Sequence, residues 1–312
     1  MSFQIEINPI DSFKMIQIRD TEAEVTIEIS TKGALLNRWE LQQAGTPHSF
    51  IVGNSFEKGW NEFEKAGFRS AKMSPFVCRL HQGQYAHLNK NYTIAHFYLG
   101  EHAIHGIIYD ALFTIVSSET QEHQASVVLE HHYTANDNGF PFNYSLQVKW
   151  TIEKNNKISV TTTVTNQSDI IIPMVDGWHP YFTLGTAIDN CTLQFLSEGK
   201  MEYDADLLPT GNTIPDKSFD QGKAIGTQHL DDGYVLKPNA TSCQLENEQF
   251  ILIVHPSANY PYLQLYTPPD RQSIAIENLS GAPNAFNNKI GLQLLKPYEN
   301  IIFETSYQVI VK

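Results

Sequence analysis

Residues Tyr144–Glu153 read YSLQVKWTIE and residues Ile158–Thr165 read ISVTTTVT, with only Lys154-Asn155-Asn156-Lys157 between them. The first run alternates apolar and polar residues with a period of two. The second is built largely from β-branched residues. Period-two alternation is what a strand with one buried face produces, because successive side chains leave opposite sides of the backbone. β-branched side chains suit the same pleated surface, and asparagine is a turn former. The stretch predicts a β-hairpin.

The same pattern spreads in both directions. In Ala23–Ser30, Val25, Ile27 and Ile29 face one way while Glu24, Thr26 and Glu28 face the other. Further strands are predicted at Gln249–His255, Tyr262–Thr267, Ser273–Glu277 and Ile301–Val311. A helix is plausible only in short pieces, such as Asn61–Ala66 (NEFEKA). Turn-rich Ala135–Pro141 and Pro268–Arg271 are expected as surface loops. No linker, low-complexity tract or internal repeat divides the chain. These features predict an all-β chain: one large antiparallel β-sandwich domain over residues 1–312, with few short helices.

Composition narrows the function. The 312 residues carry a formal net charge of −13, which opposes nucleic acid, since a binder neutralises phosphates with Lys and Arg. No stretch reaches the ~18 apolar residues that cross a bilayer, so no membrane partner is expected. The first twenty residues lack the apolar core of a secretory signal. Three widely spaced cysteines, Cys78, Cys191 and Cys243, suit reduced thiols, and a cytoplasmic location is the expectation.

Three segments place ionisable groups beside turns or aromatics. His102-Ala103-Ile104-His105-Gly106 has an H-x-x-H spacing, but residues three apart on a strand face opposite sides, and no Cys/His cluster completes a metal site. No metal is expected. His105 before Gly106 suits a strand end where a ligand comes close to backbone. In Asp176-Gly177-Trp178-His179-Pro180-Tyr181-Phe182 a histidine sits among three aromatics, whose faces pack well on sugar C–H surfaces. Glu277 ends the apolar strand Ser273–Glu277, where burial would raise its pKa and strengthen it as a base. Asp231 and Gln264 are supporting polar groups, although an Asp-Asp-Gly run usually marks a turn. Each segment also has a bland reading, as a structural histidine, a core cluster or a solvated carboxylate.

Taken in order, the segments resemble the aldose 1-epimerase (galactose mutarotase) family over nearly the whole chain. His105-Gly106 is similar to its L-H-G segment and Gly177–Phe182 to its N-H-x-Y-F segment. Asp231–Leu236 is similar to its D-H-x-F-x-L run, Leu263–Thr267 to its x-Q-x-Y-T strand, and Ile276-Glu277 to the position of its base. Pro75–Leu80 resembles its N-R-I segment, and Asn138–Pro141 its E-G-Y-P turn. Cys78, Ile107, Trp178 and Asp232-Gly233 depart from the family pattern, which bears on sugar preference.

The resemblance implies a mutarotase-type supersandwich and a cofactor-free isomerase working on a small sugar as a monomer or homodimer. Glu277 would be the base at the anomeric hydroxyl and His179 the acid at the ring oxygen. Arg79, His105, Asp231 and Gln264 would contact the sugar, with Trp178 as a further candidate. The alternatives are a hexose-6-phosphate 1-epimerase with a basic rim at Arg69 or Arg271, a glycoside hydrolase using Asp231 and Glu277, and a sugar-binding protein without catalysis.

Overall fold

The computed structural model describes residues 2–56, 63, 67–238 and 242–312. Apart from Phe63, the expected helix at Asn61–Ala66 lies outside the described residues. Strands account for 55% of the chain and helices for 3%. The hairpin that anchors the sequence reading forms as two ten-residue strands, Tyr144–Glu153 and Lys157–Asn166, in register from Tyr144↔Asn166 to Glu153↔Lys157. Its tight turn puts Asn155 and Asn156 at φ of 63° and 54°. Asparagine tolerates this left-handed region better than most residues, since its short side chain can bond locally.

The hairpin supplies the third and fourth strands of a nine-stranded antiparallel sheet. Thr114–Thr120 and Gln124–Tyr133 extend it on one side. Asn300–Val311, Phe250–Pro256, Cys243–Glu246, Thr192–Gln194 and Lys223–Ala224 extend it on the other. A second sheet of eight strands runs Pro209–Ile214, Ser197–Tyr203, Asp231–Leu236, Tyr262–Tyr266, Ile274–Leu279, Gly177–His179 and Ala71–Met73, with Tyr181–Phe182 also on Ile274–Leu279. The two sheets meet face to face. Trp150 of the first packs on Trp178 of the second with ring centroids 5.4 Å apart, and Tyr307 packs on Phe182 at 5.2 Å. A five-stranded N-terminal sheet, from Phe3–Ile10 to Thr46–Ser49, joins the same core, where Trp150 Nε1 donates to the Ala34 carbonyl at 2.8 Å.

Among the described residues the helical content is as sparse as expected: Ala285–Asn288 and the two 3-10 turns His81–Gly83 and Ile188–Asn190. Ala135–Pro141 is a surface loop in part: Asn136, Asn138 and Pro141 are exposed, while Asp137, Gly139 and Phe140 between them are buried. The Asp137 carboxylate accepts the backbone N–H groups of Ala95 and Gly139, and the Tyr85 hydroxyl donates to the Gly139 carbonyl. Satisfied polar groups can be buried at little cost, so turn composition alone does not force exposure.

Candidate active site

The site lies on one face of the eight-stranded sheet, and the strand register builds it. Gly233 pairs with Gln264, and Gln264 with Glu277, so the three share one row across adjacent strands. Asp231, two residues before Gly233, projects to the same face. Gly177 pairs with Leu279, and continuing that antiparallel register brings His179 opposite Glu277. The wall comes from a small three-stranded sheet in which Arg79 pairs with Ile104. His105 follows that strand, and its N–H donates to the Cys78 carbonyl. Gly106, at φ +82°, then turns the chain, and a Cβ there would lie 2.2 Å from the Ser74 carbonyl oxygen. The close approach expected at this glycine is therefore made by the chain's own backbone.

Arg79, His105, His179, Asp231, Gln264 and Glu277 line one cleft of about 240 Å³, together with Phe68, Tyr181, Tyr203 and Tyr266. His179 Nε2 stands 3.3 Å from Glu277 Oε1, and both side chains are buried. Tyr181 stacks on the His179 ring, with centroids 5.0 Å apart and planes 12° from parallel. The His105 ring meets the His179 ring edge-on at 4.9 Å. Cys78 Sγ lies 3.8 Å from Glu277 Oε2 as a weak donor. Gln264 Nε2 donates to Asp231 Oδ1 at 3.0 Å.

Burial sets the proton affinities. It pushes the Glu277 carboxyl well above its ordinary value, and the nearby Asp231 charge adds to this while Cys78 and Arg79 oppose it. It pushes the His179 imidazole down to about 4. His105 is driven well below the usual histidine value by burial, then by His179 and Arg79. Its Nδ1 lies 3.0 Å from Met73 Sδ. A thioether can only accept, so Nδ1 holds the proton and Nε2 is an acceptor. Asp231 is raised by burial, against the pull of Arg79.

The sequence model of the aldose 1-epimerase family matches residues 14–308. The chain belongs to the aldose 1-epimerase family. Two curated relatives align over about two thirds or more of their lengths. The uncharacterized protein YihR of Escherichia coli is 26% identical over 71% of this chain and 73% of its own. The maltose epimerase of Levilactobacillus brevis is 23% identical over 68% and 67%. Among solved structures, a galactose mutarotase-like protein from Clostridium acetobutylicum superposes with a TM-score of 0.87 at 18% identity, covering 100% of this chain and 99% of that one. Galactose 1-epimerase from Lactobacillus acidophilus gives 0.83 at 19% identity, over 99% and 98%. The supersandwich fold is thus shared across the full length.

Within this family member, six of the seven sequence-derived candidates line the cleft: Glu277, His179, Arg79, His105, Asp231 and Gln264. Trp178 does not, and its assignment as a sugar contact is corrected. Its neighbour His179 takes the cleft face, so strand alternation sends Trp178 into the core, under Trp150 and 4.5 Å from Lys72 Nζ. His102 likewise points elsewhere, its Nδ1 accepting the Gln82 N–H. Tyr203 was not legible as a site residue, since MEYDADLL carries no motif. The available signal was Gly233, a glycine that sits inside the strand Asp231–Leu236 rather than in the turn suggested by Asp-Asp-Gly.

Proposed function

We propose that the chain is a mutarotase that interconverts the α and β anomers of a free aldose, with Glu277 as base and His179 as acid. The observation that carries this reading is the 3.3 Å contact between His179 Nε2 and Glu277 Oε1 inside one buried cleft. The anomeric hydroxyl and the ring oxygen are bonded to the same carbon, so an acid and a base serving them must themselves be close neighbours. In ring opening, His179 gives a proton to the ring oxygen as Glu277 takes one from the anomeric hydroxyl. The ring C–O bond breaks to leave the aldehyde. After rotation about C1–C2 the steps reverse on the other face. The pair holds one proton before and after the step; burial favours the carboxyl as its resting place, and the form that opens the ring is the minor one that carries it on the imidazole.

Burial suits these roles. A raised Glu277 is a stronger base when ionised, and a lowered His179 is a stronger acid when protonated. Arg79, among the lining residues, would favour the carboxylate form and meet developing negative charge on the sugar. His105, as a neutral acceptor at Nε2, would take a sugar hydroxyl rather than steady an anion. Asp231 and Gln264 would orient the remaining hydroxyls.

Among the described lining residues Arg79 is the sole Lys or Arg, facing the two carboxyls of Asp231 and Glu277. Arg271 is held by Asp189 and the Gly226 carbonyl, and Arg69 bonds the Gly53 carbonyl. This balance favours a neutral sugar over a 6-phosphate. Polarimetry of freshly dissolved α-D-galactose, α-D-glucose, maltose and glucose 6-phosphate tests the reading. Faster anomerisation of a neutral sugar than of the phosphate is expected; no acceleration of any aldose would refute it.

A further inference from the structure

Gly233 lies within the strand Asp231–Leu236, opposite Gln264. Its backbone makes no demand for glycine, since its φ falls outside the left-handed region. Space is the demand. A Cβ at this position would lie 2.1 Å from the Tyr203 hydroxyl oxygen, 3.1 Å from Tyr203 Cζ and 3.0 Å from Gln264 Oε1. The missing side chain admits the phenol. Tyr203, at the end of the strand Ser197–Tyr203, lines the cleft and donates from its hydroxyl to Gln264 Oε1 at 2.8 Å. Burial and the nearby acidic groups keep that hydroxyl protonated.

This relay assigns a fixed role to each group. An ionised Asp231 can only accept, so the Gln264 amide nitrogen faces it and the amide oxygen faces Tyr203. With its oxygen taken, Gln264 has one N–H left to give, and Asp231 keeps Oδ2 to accept with. One sugar hydroxyl can receive the first and donate to the second. Its epimer, with the hydroxyl on the other side of the carbon, leaves this fork unpaired, and unpaired buried polar groups reject a ligand strongly.

We propose that Tyr203, admitted by the missing side chain at Gly233, is a positioning residue that sets sugar preference by holding Gln264 and Asp231 as a fixed donor–acceptor fork. The inference rests on the sugar-epimerase reading of the same cleft. It predicts that Tyr203→Phe frees Gln264 Oε1 as a stray acceptor and lets the amide swing. The relay's hydrogen bonds run from Tyr203 to Gln264 to Asp231 and do not hold His179 or Glu277, so the loss should fall on KM rather than kcat.

The test measures kcat and KM for D-galactose and D-glucose, with calorimetric Kd for the same two sugars, in the parent, Tyr203→Phe, Gly233→Ala and the double variant. Thermal melts check that each variant folds. Tyr203→Phe is expected to raise KM and Kd for the preferred sugar about 3- to 10-fold, the worth of one hydrogen bond. It should also narrow the galactose-to-glucose ratio and leave kcat near the parent value. Gly233→Ala should do the same by displacing the hydroxyl. The double variant should be close to the worse single, since the hydroxyl, the one contact of the added Cβ far inside van der Waals distance at 2.1 Å, is gone. Parent-like KM and sugar ratio in Tyr203→Phe would overturn the inference, as would losses that multiply in the double variant or fall on kcat alone. A parent that binds sugars selectively yet accelerates no anomerisation overturns the catalytic reading and leaves the Kd comparison to decide the role of Tyr203.

Discussion

A carboxyl and an imidazole 3.3 Å apart in one cleft titrate as a pair. A second proton enters at His179, at about 4, and the last proton leaves from the Glu277 carboxyl, well above its ordinary value. The profile of kcat/KM against pH should therefore be a bell with its acid limb near pH 4 and a plateau above it, measured by anomerisation rates in matched buffers. The same groups leave a mark on stability. The folded value of His179 lies below the unfolded value near 6.5, so unfolded chain binds that proton first and stability is lost as pH falls from 6.5 towards 4. Glu277 has the opposite sign: its contribution is present below 4.5 and is lost as pH rises through its raised folded value. Glu277→Gln should thus lose activity but gain stability over the parent at neutral and alkaline pH, read by urea denaturation. At this scale His179, Glu277 and Arg79 were legible as residues of one cleft, because each sits in a segment of recognisable order. Trp178 was misplaced, because one position along a strand reverses the face. Tyr203 stayed hidden, because what fixes it is the absence of a side chain on a neighbouring strand that lies far away in sequence.

The strand bearing His179 is held from beneath by charge. Lys72, cross-strand from Trp178, forms a fully buried ion pair with Asp176, next to the catalytic strand. Tyr260 donates to the same carboxylate at 2.6 Å, and the Asp176 N–H bonds Ser280 Oγ at 2.8 Å. Burial lowers Lys72 to about 8 and raises Asp176, and each partner opposes the other's shift. Removing one member leaves an uncompensated buried charge, which costs about 3–5 kcal/mol. Lys72→Met should lose that much stability in urea, while Lys72→Met with Asp176→Leu should recover a large part of it. A Lys72→Met variant as stable as the parent would deny the pair its role. The strands themselves were legible where one face is buried and the other wet, as in Tyr144–Glu153 and Val25–Ser30. The burial of Asp137 and Gly139 within Ala135–Pro141 was not, because these residues are satisfied by Tyr85 and Ala95, far away in sequence.

Across the whole molecule, one core cluster runs from Phe3 to Val309 and ties the three large sheets together. Sheet order was out of reach, since Gly177–His179 lies between Ile274–Leu279 and Ala71–Met73, and only long-range packing decides such neighbours. The central claim belongs to this scale: two strands nearly a hundred residues apart bring His179 and Glu277 together as one catalytic unit. Magnetisation-exchange NMR between the two anomers of D-galactose tests it directly, in the parent, His179→Gln, Glu277→Gln and the double variant. Each single substitution should remove about 10²–10⁴-fold of the acceleration, and the double should be no slower than the worse single. A single variant with the parent exchange rate, or losses that multiply in the double, would contradict it.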